Sequence, residues 1–151
     1  METTAAETAP ARLRNTPSWL ISHVATHTSR LVWGAFDAAG ARRYHYALLS
    51  ALEEFGPASQ AALSRRCGID RSYVVAAVNE LVEAGSVERA PDLADRRRNV
   101  ITLTPAGAER LRHFDEVLAG VQDELLAPLS SGERTQLADL LRRVLDHHSG
   151  R

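Results

Sequence analysis

The sequence contains no lysine and only one cysteine, and both shortages limit what the chain can be. All 18 basic residues are arginine, and 19 acidic residues bring the formal net charge to -1. Binding to nucleic acid depends on local positive potential, so this balance neither supports nor excludes a nucleic-acid partner. Cys67 alone cannot form an internal disulfide or a cysteine zinc cluster, which fits a reducing compartment.

Long apolar runs are also missing. No segment approaches the roughly 20 apolar residues that a membrane helix needs, and the N-terminal segment lacks the apolar core of a signal peptide. We therefore expect a cytoplasmic protein with no membrane partner. At 151 residues, 44% of them hydrophobic, the chain suits one globular domain or one compact subunit of an oligomer.

The chain does contain helical periodicity at both ends. Residues 1–17 are rich in Thr, Ala and Pro, and we expect a flexible arm there. Apolar residues then recur at helical spacing over residues 18–39, and a second helix is predicted over residues 42–55. Two further helices with wide apolar faces are predicted over residues 104–127 and 132–147.

Capping residues mark two shorter helices in the middle of the chain. Ser59 is a suitable N-cap for a helix over residues 60–66, and Gly68 allows a tight turn. Asp70 then caps a longer helix over residues 71–84. This order indicates a helix-turn-helix, whose second helix enters the DNA major groove, although an ordinary helical hairpin has similar spacing.

The face of the second helix that lies opposite its valine and leucine stripe is suited to DNA. Asn79 can form paired hydrogen bonds with adenine, and apolar side chains there can contact thymine methyl groups. The predicted groove-facing residues are Arg71, Ser72, Tyr73, Val75, Ala76 and Asn79. The predicted phosphate contacts are Ser59, Gln60, Ser64 and Arg65.

A β-hairpin is predicted after this helix. Residues 86–89 and 100–104 alternate like strands, so residues 91–99 become a projecting loop. The loop carries a net charge of +1 from Asp92, Asp95, Arg96, Arg97 and Arg98. Guanidinium groups on such a tip suit phosphates or a narrow minor groove. We expect Asp95 to pair with one arginine and fix the loop, leaving the others for DNA.

The run DRRRNVITLT, residues 95–104, resembles the wing signature D-x-R-x-x-x-V/I-x-L-T of the MarR transcriptional regulators. Asp95 and Arg97 match its two charged positions, and the following Pro-Ala-Gly resembles the opening of the family's next helix. The resemblance covers the chain from about residue 18. It implies a mainly α fold with a small β-hairpin wing (α+β), a winged helix-turn-helix over residues 41–104 flanked by dimerisation helices over 18–40 and 105–151.

The same resemblance implies a homodimer that binds a pseudo-palindromic double-stranded operator, with Arg97 the first choice for the groove. The alternative for the terminal helices is a bundle within one chain. In the family, small anionic aromatic compounds often weaken DNA binding from a cleft beside the DNA-binding part. This implies a repressor released by such a ligand.

Aromatic and basic residues near the first two helices are the candidate ligand contacts. They are Arg14, Trp19, His23, His27, Tyr44 and His45. These side chains could instead pack in a dimer interface. A third alternative is a metal-responsive repressor, since His23 and His27 have the spacing of a metal pair, but no acid or cysteine is placed to complete the site. We expect no bound cofactor or metal.

The sequence also bears on two other function classes. An enzyme would need a nucleophile with its base, or paired carboxylates, and the sequence has no such arrangement and no nucleophile or phosphate-loop motif. We therefore expect that the chain is not an enzyme. A winged-helix module that binds another protein without reading DNA sequence stays open.

Overall fold

The computed structural model describes residues 9–151, and it is mainly α-helical with one small antiparallel sheet. This confirms the predicted fold class. The helices and strands, in chain order, are α1 (Ala11–Arg14), α2 (Pro17–Ala38), α3 (His45–Phe55), β1 (Ala58–Ser59), α4 (Gln60–Cys67), α5 (Arg71–Glu83), β2 (Val87–Pro91), β3 (Asn99–Leu103), α6 (Pro105–Leu125) and α7 (Ser131–Ser149).

A flexible arm was expected over residues 1–17, and residues 1–8 of it lie outside the described residues. In its remainder, Ala11–Arg14 form the short helix α1. The backbone N–H groups of Leu13 and Arg14 both donate to the carbonyl of Pro10, at 2.9 and 3.0 Å, and close a helical turn. Proline before a short Ala/Arg/Leu run favours such a start because it offers a carbonyl and has a preset φ.

Two compact units divide the chain. One comprises Ser29–Leu118, and the other comprises Ala119–Arg151 with the described residues up to Thr28. The hydrophobic core lies in the first unit and includes Phe36, Leu48, Leu63, Val74, Val78, Ile101 and Phe114. Phe36 of α2 meets Phe114 of α6 edge to face, with ring centroids 5.8 Å apart. The core therefore extends beyond residues 41–104 into both long helices.

The start of α3 differs from the prediction by three residues. Residues 42–44 do not continue the helix because Tyr44 has φ 75°, in the left-handed region that a non-glycine residue seldom adopts. Buried contacts hold this conformation, since Tyr44 is half-buried and the next residue, His45, is buried. Periodicity alone could not place this boundary, because Arg42 and Arg43 are good helix formers.

Both predicted caps of the helix-turn-helix are confirmed. The Ser59 Oγ accepts from the Ala62 N–H at 3.1 Å, and the Asp70 Oδ1 accepts from the Ser72 N–H at 3.0 Å. Gly68 sits between the helices with φ 64°. Of the predicted apolar stripe of α5, Val74, Val78 and Leu81 are buried and Val82 is half-buried, and Ala77 is an additional buried member.

The hairpin is confirmed, with strands shifted by one or two residues from the predicted ones. Strands β2 and β3 pair from Val87 opposite Leu103 to Pro91 opposite Asn99, which leaves residues 92–98 as the loop. The sequence did not predict β1, which pairs Ala58 with Ile101 on the other side of β3. A two-residue strand beside a helix cap has no periodicity to detect.

In the second unit, α7 begins at a capping box formed by Ser130 and Glu133. The guanidinium of Arg134 lies 2.8 Å from Asp123 of α6. Large apolar side chains are exposed on two helices of this unit, namely Leu20, Ile21 and Val24 of α2 and Leu140, Leu141, Val144 and Leu145 of α7. Within residues 9–151, every helix is too short or too polar to cross a membrane.

Candidate nucleic-acid interface

The predicted groove-facing side of α5 is exposed along its whole length. Its polar and small residues, Ser72, Val75, Ala76 and Asn79, lie opposite the buried valines, and Arg71 and Tyr73 flank them at the N-terminal end. Burial of Val74 and Val78 fixes the rotation of the helix, because valines four residues apart share one helix face. The residues of this face are all accessible to a partner.

A polar cleft of about 220 Å³ joins three segments that are distant in the sequence. Ser59, Gln60 and Ala61 form its wall at the first turn of α4, Arg71 contributes from the start of α5, and the wing supplies Arg97, Arg98 and Asn99. Helix N-termini carry partial positive charge and attract anions. Three arginines line the cleft beside this helix end, so its local charge is positive.

Asp95 contacts Arg97, one of the three wing arginines with which the sequence predicted an ion pair. The Asp95 Oδ1 accepts from the Arg97 N–H at 3.1 Å and lies 3.6 Å from the Arg97 Nε. The base of the loop is closed by a hydrogen bond from the N–H of Asp92 to the carbonyl of Arg98 at 2.8 Å. The Arg97 side chain is nevertheless 95% exposed, so it is held at its base and free at its tip.

Two predicted serine contacts have their hydroxyl protons engaged within the protein. The Ser64 Oγ donates to the carbonyl of Ile69 at 2.6 Å, and the Ser72 Oγ donates to Asp70 at 2.7 Å. The side-chain and backbone hydrogen bonds from Ser72 lower the pKa of Asp70. The Ser64 hydroxyl therefore cannot donate to a phosphate in this arrangement, and the Ser72 hydroxyl, predicted to face the groove, can only accept there. Arg65 and Arg96 are exposed outside the polar cleft.

Arg89, which the sequence did not single out, directly contacts a residue of the predicted groove-facing side of α5. Its Nη2 donates to the Oδ1 of Asn79 at 2.6 Å. Arg89 belongs to β2, where its partner in the ladder is the buried Ile101. A single basic residue in a short strand gave no signal, because only the packing of β2 beside α5 brings the two side chains together.

A larger cleft of about 860 Å³ lies in the same unit, between the end of α2, the segment before α3, and α5. Tyr44 lines it, as the prediction of a ligand contact requires, and Tyr73 of α5 lies against Tyr44 with ring centroids 5.7 Å apart. Trp33 and Arg43, which were not predicted, also line it. The Arg43 guanidinium lies 5.6 Å from the Trp33 ring centroid and 4.9 Å from that of Tyr44.

His45 belongs to a buried structural cluster and does not line this larger cleft. The Arg42 N–H donates to its Nδ1 at 3.4 Å, so Nε2 carries the proton and donates to Glu80 at 2.7 Å. Burial lowers the pKa of His45 in spite of the Glu80 carboxylate. Both ring nitrogens are engaged within the protein, and His45 lines a separate cleft of about 500 Å³ with Arg42, Glu80 and Arg110.

The remaining ligand candidates are in the other unit. The Trp19 ring stacks on His23 with centroids 3.6 Å apart, and the His23 Nδ1 lies 2.8 Å from the Trp19 carbonyl oxygen. His27 and Arg14 are exposed. Within residues 9–151, no group of three or more His, Cys, Asp and Glu side chains is arranged to hold a metal ion.

Comparison with known proteins gives a consistent result. A sequence model described as the MarR family matches residues 41–98. The chain is 33% identical over 99 residues, 66% of its length, to a putative transcriptional regulatory protein for the hcr operon of Thauera aromatica. It is 31% identical over 101 residues, 67% of its length, to the HTH-type transcriptional repressor NicR of Pseudomonas putida.

Among solved structures, the PcaV transcriptional regulator of Streptomyces coelicolor, crystallised with its natural ligand, is similar over most of both chains. The TM-score is 0.70 at 29% identity, with 91% of this chain and 97% of that chain covered. The alignments with the two sequence relatives span less of those proteins, 60% and 64% of their lengths. Wing signature, fold and relatives agree, and the chain belongs to the MarR family of transcriptional regulators.

Proposed function

We propose that this protein is a sequence-specific double-stranded DNA-binding regulator, a repressor that acts as a homodimer. The observation that carries the proposal is the polar cleft, where Arg71, Arg97 and Arg98 converge on the first turn of α4. A DNA phosphate in this cleft would meet guanidinium donors and backbone N–H groups together. It would thereby position α5 and the wing on the duplex.

In this proposal, the exposed face of α5 reads the major groove. Phosphate contacts position a protein without conveying sequence, and base contacts in the groove supply the specificity. Val75 and Ala76 offer methyl contacts for thymine, and Asn79 offers hydrogen bonds. We propose Arg96 and Arg65 as further backbone contacts, because both are exposed near the two elements that approach DNA.

The dimer follows from unpartnered apolar surface. Exposed leucines and valines occupy α2 near its start and one face of α7, with Leu145 64% exposed. Apolar surface of this kind on a helix marks an interface. We propose that a second copy covers it and that the dimer reads two half-sites about 10 base pairs apart.

For release of the repressor, we propose that a small aromatic acid binds in the larger cleft. Trp33, Tyr44 and Tyr73 provide ring walls, and Arg43 can pair with a carboxylate. Tyr73 and Ala76 belong both to this cleft and to the proposed DNA-reading face. A ligand packed against them therefore competes with the orientation of α5 that DNA requires. The similar PcaV has a natural ligand.

The DNA part is tested by selecting bound sequences from a random duplex library with the purified protein. We expect enrichment of a pseudo-palindrome. The triple variant R71A/R97A/R98A should lose salt-dependent binding to that site, whereas R112A, an exposed arginine of α6 outside the cleft, should retain it. Absence of any enriched palindrome would contradict the regulator and favour a module that binds another protein.

The ligand part is tested by measuring DNA release with a panel of hydroxybenzoic and pyridine carboxylic acids. If the larger cleft is the site, R43A abolishes release and H23A does not. If the residues predicted at the start of α2 form the site, H23A abolishes release and R43A does not. Release by Zn²⁺ instead, lost in H23A, would favour the metal-responsive alternative.

The proposal includes the absence of catalysis and a cytoplasmic location. The relatives are transcriptional regulators, and a regulator must reach the chromosome. The absence of catalysis would be contradicted if the purified protein converted any acid of the panel into a product.

A further inference from the structure

Asn79 and Arg89 form a hydrogen-bonded pair on the surface that the proposed function assigns to base reading. Arg89 Nη2 lies 2.6 Å from Asn79 Oδ1, and both side chains are exposed. Asn79 is on the third turn of α5, and Arg89 is on β2, two residues after the buried Val87. The backbone of each partner is held by core packing, so the pair does not depend on a flexible loop.

The chemistry of arginine determines which way the Asn79 amide faces. A guanidinium has only N–H donors, whereas a carboxamide has an oxygen acceptor on one side and an NH₂ donor on the other. The opposite orientation would place donors against donors. Asn79 Oδ1 must therefore face Arg89, and the amide NH₂ is left for a partner outside the protein.

This orientation changes the base that Asn79 can read. Adenine in the major groove offers an N7 acceptor and an N6 donor, so its recognition needs both the oxygen and the NH₂ of asparagine. Guanine offers two acceptors, N7 and O6, and needs donors alone. The guanidinium on the Asn79 oxygen places further N–H donors beside it, so the pair presents a donor-rich surface that suits guanine, whereas adenine's N6 donor would have to share that oxygen with Arg89.

We propose that Arg89 is a specificity-determining residue, which holds the Asn79 amide so that the pair reads guanine instead of adenine. This inference rests on the proposed function, because it concerns the base contacts of the same face. Arg89 also retains N–H groups beyond the one that it donates to Asn79. These donors suit the same two acceptors of guanine, N7 and O6.

The test is selection from a random duplex library with the wild type and the variants N79A, R89M and R89K. N79A identifies the symmetric pair of positions that Asn79 reads, because preference should be lost only there. At those positions, the wild type should prefer guanine over adenine by roughly fivefold to a hundredfold. R89M keeps the length of the side chain without its donors, frees Oδ1, and should move the preference to adenine.

R89K is the matched control, because an ammonium also has donors alone and should keep guanine. Circular dichroism and affinity for nonspecific DNA show that each variant is folded. Guanine retained in R89M, adenine preferred by the wild type, or no position altered in N79A would each overturn the inference while leaving a DNA-binding regulator. A wild type that enriches no site would overturn the proposed function itself and this inference with it.

Discussion

The Nε2 of His45 donates a hydrogen bond to the Oε2 of Glu80 at 2.7 Å and so joins the first turn of α3 to the C-terminal half of α5. Arg42 adds a second contact to the same carboxylate, 3.4 Å from Oε1. The histidine side chain is 7% exposed, and the carboxylate is 36% exposed. The recognition helix is thereby attached to the core through a neutral imidazole.

This arrangement predicts that stability falls in mild acid. Burial lowers the pKa of His45 below 6.5, with nearby Arg110 and Arg42 acting in the same direction and Glu80 opposing them. The unfolded chain therefore binds more protons than the folded chain in this window, so the free energy of unfolding decreases as the pH falls below about 6.5. Urea unfolding of the wild type and H45Q, at one protein concentration and at neutral and mildly acidic pH, measures the effect. H45Q should show a smaller decrease, and parallel decreases would contradict the prediction.

Gly107 lies so close to a neighbouring backbone that any residue with a Cβ at this position should clash with it. An added Cβ would lie 2.0 Å from the Ser86 carbonyl oxygen. The Gly107 N–H also donates to the Thr104 Oγ1 at 3.0 Å, so the first turn of α6 cannot move away without losing its cap. We expect G107A to lower the free energy of unfolding by about 1–3 kcal/mol or more, as overpacking does.

Gly120, in the same helix, is the control for Gly107. A Cβ there would meet nothing within 4 Å. Alanine is the better helix former, so G120A should be unchanged or more stable by about 0.5–1 kcal/mol. Urea midpoints of the two variants compare them, and a G107A protein as stable as the wild type would refute the close approach.

Arg97 predicts a change in the salt dependence of DNA binding. If its exposed guanidinium contacts a phosphate, R97A should lower affinity on all sequences and reduce the slope of log affinity against log salt by about 0.9. D95N keeps an oxygen for the Arg97 N–H and should leave the slope at least as steep. Fluorescence anisotropy at several salt concentrations gives the slopes, and equal slopes for R97A and the wild type would remove Arg97 from the interface.

The exposed face of α7 predicts the oligomeric state. L141D places a charge among Leu140, Val144 and Leu145, and it should convert a dimer to a monomer, because a buried unpaired carboxylate is costly. T135D is the control, since at about 3.6 residues per turn Thr135 lies on the opposite side of the helix. Light scattering across a dilution series measures the mass. A T135D dimer beside an L141D monomer is expected, and an L141D dimer would favour a bundle within one chain.

The helix-turn-helix could be predicted closely because its signals are local. Ser59 and Asp70 cap helices through N–H groups two or three residues away, and the wing signature lies within ten residues. The start of α3 could not be predicted, because the left-handed φ of Tyr44 is imposed by packing. The predicted ligand contacts do not all lie at one cleft. Tyr44 lines the larger cleft, whereas His45 is buried beside Glu80.

By itself, the amino-acid sequence determined the long helices, the helix-turn-helix with its two caps, the hairpin and the family, since these depend on spacing and on contacts within one turn. Only the tertiary structure decided which side chains meet. It brought Arg71 and Arg97 to one cleft and set Arg89 against Asn79. The two members of each of these pairs are separated along the chain. Their contacts arise from the packing of α5 against the sheet, which periodicity along the chain does not encode.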